Sequence, residues 1–188
     1  MSAAVLERES LVEEATSAEG PAIAVWAITA LCGLTIIGLI IGAPLAQASG
    51  HPALASAIYK VFSFVCHQIP ERSFHLAGHQ FGVCSRCTGL YTGFAAAALC
   101  YPLIRSRKTT DTPPRFWLIL AAVPLTIDFG LGYFGIWQNN HLSRFSTGAL
   151  LGSVAVFYIV PGLVDLSSSL GRRLAGKKRL ESPADAGN

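Results

Sequence analysis

An all-α membrane protein of four transmembrane helices, with a short interfacial helix and an extracytoplasmic Cys/His loop, is the fold class this sequence predicts. Of its 188 residues, 52% are hydrophobic and only 13% are charged, where a soluble domain carries about 25% charged residues. Mean hydropathy is +0.48. Four apolar runs each approach the roughly 20 residues that cross about 30 Å of hydrocarbon. The basic residues gather beside those runs rather than in one patch, and a net charge of +3 excludes a nucleic-acid reader.

Residues 1–20 are polar and acidic, with five glutamates against the single Arg8. They read as disordered or as a loose surface helix. The first span follows, from about Ala22 to Ala43, and carries no charge. Ala46-Gln47-Ala48 resembles a signal-peptidase site, but the acidic leader and the long apolar run weigh against cleavage. An outer loop covers residues 44–83. Its first part, Ala53 to Cys66, is apolar with Ser56, Lys60 and Ser63 interspersed, which suits a helix lying in the membrane interface. Ile69-Pro70 ends that helix, because the residue before proline avoids helical angles.

The second span runs from about Cys84 to Ile104, the third from Phe116 to Trp137 and the fourth from Phe145 to Leu163. The linker between the second and third holds Arg105, Arg107, Lys108 and Arg115 against Asp111. The tail, residues 166–188, holds Arg172, Arg173, Lys177, Lys178 and Arg179. Basic segments stay in the cytoplasm, so both termini are cytoplasmic and the 44–83 loop lies outside. The location expected is the prokaryotic plasma membrane, crossed several times, with the lipid bilayer as partner. A homo-oligomer stays open. Gly38/Gly42, Gly89/Gly93 and Gly148/Gly152 recur at four-residue spacing, which permits close backbone contact between helices in lipid. Ser85-Arg86 and Ser143-Arg144, each followed by a Gly-x-x-x-Gly, form a faint internal echo of a parallel repeat.

Chemistry concentrates between positions 66 and 87. Cys66, Cys84 and Cys87 are three of the five cysteines, and His67, His75 and His79 are three of the five histidines. Soft thiolates beside imidazoles suit a transition metal, zinc first, with Cys66, Cys84, Cys87 and preferably His67 as ligands. His75 and His79 are further candidates, four apart and on one face if helical, though Gly78 weakens that helix. The same residues serve a membrane thiol–disulfide oxidoreductase, with Cys84 and Cys87 as the exchanging pair and Cys66 as the resolving thiol. A helix N-terminus and Arg86 both favour thiolate. Cys32 and Cys100 read as small core residues.

Asp128 lies inside the third span, where an unpaired acid costs several kcal/mol. It is either one half of a buried pair or the intramembrane site of a small transporter. Arg86 and Arg144 lie at the outer ends of spans near helix N-termini, where the dipole disfavours a cation. Each either snorkels to the headgroups or takes an acidic partner, an anionic ligand or a lipid phosphate.

Cys66-His67-Gln68-Ile69-Pro70-Glu71-Arg72-Ser73-Phe74 and Cys84-Ser85-Arg86-Cys87-Thr88-Gly89-Leu90-Tyr91-Thr92-Gly93 together resemble a family of small prokaryotic integral membrane proteins filed as a domain of unknown function. Pro124 to Asp128 and Arg144 to Gly148 are similar to that family's second stretch. The resemblance covers about residues 58–155 and implies a multi-spanning membrane protein, with no established reaction. Members often carry alanine where this chain has Ser85.

Overall fold

The computed structural model describes the backbone of residues 3–107 and 109–181, and the side chains of 20–107 and 109–173. Most of it lies in five α-helices: α1 (Ala3–Ala48), α2 (Pro52–Phe62), α3 (Ser85–Ile104), α4 (Phe116–Tyr133) and α5 (His141–Glu181). Four are long and apolar enough to cross a membrane, over Gly20–Ala48, Ser85–Ile104, Phe116–Tyr133 and His141–Arg173. The side chains of the acidic lead-in before Gly20, and those of the basic tail beyond Arg173, lie outside the described residues.

Proline does not end these helices. α1 passes through Pro21 and Pro44, α3 through Pro102, α4 through Pro124 and α5 through Pro161. In lipid the freed backbone groups find no water to bond, so the helix is kept. Glycine does end one. The apolar pattern extends to Trp137, yet α4 stops at Tyr133 because Gly135 turns left-handed (φ 69°). The amides of Ile136 and Trp137 then bond back to the Leu131 carbonyl at 3.0 and 3.2 Å, closing the helix C-terminus.

α3 and α5 form the centre of the bundle. A Cβ placed on Gly89 or Gly93 would overlap the backbone of Phe145 or Ala149, and one on Gly148 or Gly152 that of Arg86 or Leu90. Residue numbers rise together along this contact, so the helices are parallel. The echoed Ser-Arg…Gly-x-x-x-Gly segments are therefore the two halves of one interface. The third glycine pair behaves differently: Gly38 and Gly42 face open space, and it is Gly33 that meets Ala95 of α3.

α1 runs antiparallel to α3. The Gly82 amide bonds the Ile40 carbonyl at 2.9 Å at one end, and Trp26 Nε1 donates to the Ala98 carbonyl at 2.7 Å toward the other. α4 is antiparallel to α5, where the Tyr158 hydroxyl donates to the Pro114 carbonyl at 2.8 Å. Little of α4 is buried: Ala121 alone, while Phe116, Trp117, Ile119, Leu120, Ile127 and Phe129 are exposed. Outward apolar surface of this kind is what a bilayer covers. Two cores result. Ala30, Ala98, Tyr101, Val156 and Val160 fill the linker end of the bundle. Ile40, Phe62, Cys66 and Val83 fill the opposite end. Cys32 and Cys100 are exposed on the helix surfaces rather than in a core; a small apolar group is equally satisfied against lipid.

The segment between α1 and α3 folds over the second core. α2 stops at Phe62, short of the Cys66 its apolar composition suggests. It buries Ala55 and Phe62 and leaves Leu54 and Val61 exposed, as are Phe64 and Val65 in the turn after it, a one-sided segment suited to an interface. A 3₁₀ turn (Pro70–Arg72) and a two-stranded antiparallel hairpin, β1 (His75–Leu76) and β2 (His79–Gln80), complete it. Ala77 and Gly78 both take positive φ, as a tight hairpin turn requires.

Candidate functional site

The cysteines assemble from three places. Cys66 follows the last turn of α2, Cys84 caps the N-terminus of α3, and Cys87 lies in its first turn. Their three Sγ atoms all fall within 4.8 Å of one another. None is in a disulfide. Cys66 is buried, and its sulfur accepts hydrogen bonds from the amides of Cys84 at 3.2 Å and Gln68 at 3.4 Å. Hydrogen bonding from the Cys66 and Cys87 thiols holds Cys84 well below the ordinary thiol value, against burial, which pushes it up.

Gln68 holds this arrangement together. It adopts a left-handed backbone (φ 52°) that reverses the chain after Cys66. Its side-chain amide donates to the carbonyls of Tyr59 at 2.8 Å and Gly82 at 2.7 Å. One residue thus ties α2 to the approach of α3, and sets the Cys66 sulfur against the other two. The Tyr59 hydroxyl donates in turn to the Gln80 carbonyl at 2.5 Å, fastening the hairpin.

No histidine joins the sulfur group among the described residues. His67 is exposed and lines the same cavity as the three cysteines. His75 and His79 sit on the hairpin rather than on a helix. Pairing of His75 with Gln80 and of Leu76 with His79 places the two imidazoles on opposite faces. His141, at the start of α5, shares a hydrogen bond of 2.8 Å between its Nδ1 and the Ser85 hydroxyl, and its ring packs on Phe74.

Asp128 pairs with Arg86. The Asn139 side chain also donates to the Asp128 main-chain carbonyl. The ion pair is largely sheltered, with 19% of the Arg86 and 11% of the Asp128 side chain exposed. It joins α4, otherwise packed on α5, to α3 one residue from Cys87. The Arg86 guanidinium also lies 5.5 Å from the centre of the Phe129 ring. Arg144 and Arg72 flank this pair and line a cavity of about 180 Å³ with the three cysteines and His67. Arg72 and Gln68 are the site residues that composition and spacing do not single out, although both stand inside the Cys66–Phe74 motif. Their signal is positional: both stand in a segment too short for its own core.

Comparison with known proteins agrees with the architecture. A family model described as "Predicted membrane protein (DUF2085)" matches residues 66–158. An uncharacterized protein, MJ1492, of Methanocaldococcus jannaschii is 37% identical over 108 residues, covering 57% of this chain and 69% of that protein. An uncharacterized protein of Methanothermobacter thermautotrophicus is 40% identical over 91 residues, 48% of this chain and 80% of that protein. No solved structure matches the chain. The matched region holds Cys66, Cys84, Cys87, Arg86, Asp128 and Arg144, and with these relatives it makes the chain a member of that predicted membrane protein family.

Proposed function

We propose that this protein binds a transition metal, zinc first, on the outer face of a prokaryotic plasma membrane through Cys66, Cys84 and Cys87. The observation that carries the reading is the convergence of three sulfurs within 4.8 Å of one another. Thiolates at about 2.3 Å from a tetrahedral zinc stand about 3.8 Å apart, so closing on a metal asks for shifts of about 1 Å or less. The two backbone amides on Cys66 Sγ are the outer hydrogen bonds that orient a thiolate ligand. His67, on the shared cavity, supplies the fourth position or leaves it open to an exogenous ligand. In the first case a bound metal would staple the loop to the bundle; in the second the open position would serve transfer of metal or electrons.

Orientation follows from charge. The Arg105–Arg115 linker lies at the end of the bundle opposite the cysteines, and basic linkers stay inside. The test is elemental analysis of protein purified without added metal. About one equivalent of a transition metal per chain is expected, lost in Cys66→Ser; less than a tenth of an equivalent refutes the reading.

A second reading is thiol–disulfide exchange by Cys84 and Cys87 with Cys66 resolving. It is favoured by the lowered Cys84 thiol at a helix N-terminus. Cysteines that alkylate equally with and without reductant eliminate it. The transporter reading of Asp128 draws less support, because Arg86 already satisfies the carboxylate.

A further inference from the structure

Three arginines converge on the cavity beside the cysteines. Arg72 comes from the 3₁₀ turn, Arg86 from α3 and Arg144 from α5. All three line both that cavity and an adjoining one of about 120 Å³, and the two cavities share Phe129 as a further wall. Among the described residues Asp128 is the only acid paired with any of them, and it takes one terminal nitrogen of Arg86. The Arg86 Nε is buried and has no hydrogen-bond partner. The Arg72 and Arg144 guanidiniums have no carboxylate within ion-pair distance among the described residues. Two guanidiniums without a carboxylate partner, facing one half-enclosed space, repel each other, and the start of a helix is a poor place for either Arg86 or Arg144. An anion in the cavity removes both penalties.

We infer that Arg72, Arg86 and Arg144 form a binding site for a small tetrahedral oxyanion of the phosphate type, as free ion or as a lipid headgroup phosphate. Size supports a small ion: each cavity is well below the roughly 300–1,000 Å³ that holds a drug-sized ligand. Guanidinium forks bind phosphate bidentately, and Arg86 still has a free N–H to offer. The site does not depend on the metal reading, although its anion would lie beside the sulfurs.

The test uses the full chain in a maltoside detergent stripped of phospholipid, at low salt, before and after chelation. Inorganic phosphate is titrated by equilibrium dialysis in one arm and phosphatidic acid by native mass spectrometry in the other. One equivalent of at least one probe is expected to bind and to survive chelation. Phosphate binding assigns the free ion, and binding of phosphatidic acid alone assigns the lipid. Arg144→Gln should weaken binding about ten- to a hundredfold, the loss of a charge-assisted hydrogen bond, while Arg115→Gln at the other end of the bundle leaves it unchanged. Arg72→Gln, on an exposed turn, should act in the same direction and serves where Arg144→Gln does not fold. Failure of both probes to bind, or wild-type affinity in Arg72→Gln and Arg144→Gln alike, overturns the proposal. So does binding that vanishes on chelation but survives Arg144→Gln, since the phosphate would then sit on a metal.

Discussion

Adding a single methyl group at Gly93 drives it into the backbone of the neighbouring helix. The new Cβ would stand 2.7 Å from the carbonyl carbon and Cα of Ala149. Ordinary contact needs 3.4–4 Å, so α3 and α5 must part by about 1 Å and lose packing along the whole seam. The 3.1 Å hydrogen bond from the Ser153 hydroxyl to the Gly93 carbonyl stretches with them. Overpacking of this kind costs about 1–3 kcal/mol. Gly38→Ala is the matched control, because its Cβ meets nothing within 4 Å. Both changes bring the same helix-propensity gain of up to about 1 kcal/mol, so their difference isolates the overlap. At roughly 2–4 °C per kcal/mol for a chain of this size, Gly93→Ala should melt about 2–12 °C below Gly38→Ala in detergent. Equal melting temperatures, or a less stable Gly38→Ala, would refute the parallel α3–α5 seam.

Other consequences can be checked alongside it. Asp128→Asn leaves Arg86 without its carboxylate. The cost should lie between the roughly 1 kcal/mol of a surface pair and the 3–5 kcal/mol of a buried one, and an Arg86→Gln/Asp128→Asn double variant should lose less than the sum, read from a double-mutant melting cycle. Gln68→Ala removes two side-chain hydrogen bonds; a loss of about 1–3 kcal/mol with a fall in retained metal is expected, and unchanged metal content would separate Gln68 from the cysteine site. A reporter that fluoresces only in the cytoplasm should be active when fused after Asn188, and inactive when fused in the turn at Asn140. The reverse pattern would invert the topology.

The four spans are legible because lipid imposes a simple rule: about 20 apolar residues with few charges. Sequence also makes a meeting of Cys66, Cys84 and Cys87 possible, since C-x-x-C spacing pairs two of them and the intervening loop is long enough to fold back. What it does not reveal depends on contacts between distant segments. Whether Asp128 pairs with Arg86 or Arg144 is decided by the rotation of α3 and α5 against each other, which the glycines of both helices set jointly. The hairpin at His75–Gln80 is too short to carry a strand pattern, so the histidine spacing suggests a helix face that the positive φ at Ala77 and Gly78 forbids. Gly38 and Gly42 repeat the spacing of the packed glycines without packing, because small residues permit contact and do not compel it. Arg72 acquires significance only when the 3₁₀ turn folds it over the cavity that Arg86 and Arg144 line.

Whether the three sulfurs hold a metal is settled most directly by differential alkylation read by mass spectrometry, on protein kept under mild conditions. Bound to a metal, Cys66, Cys84 and Cys87 should resist alkylation together, while the exposed Cys32 and Cys100 are modified to the extent the detergent allows. Chelator alone, without reductant, should then release all three at once. Modification of the three before chelation, or release by reductant and not by chelator, would contradict the metal site and leave a thiol or disulfide in its place.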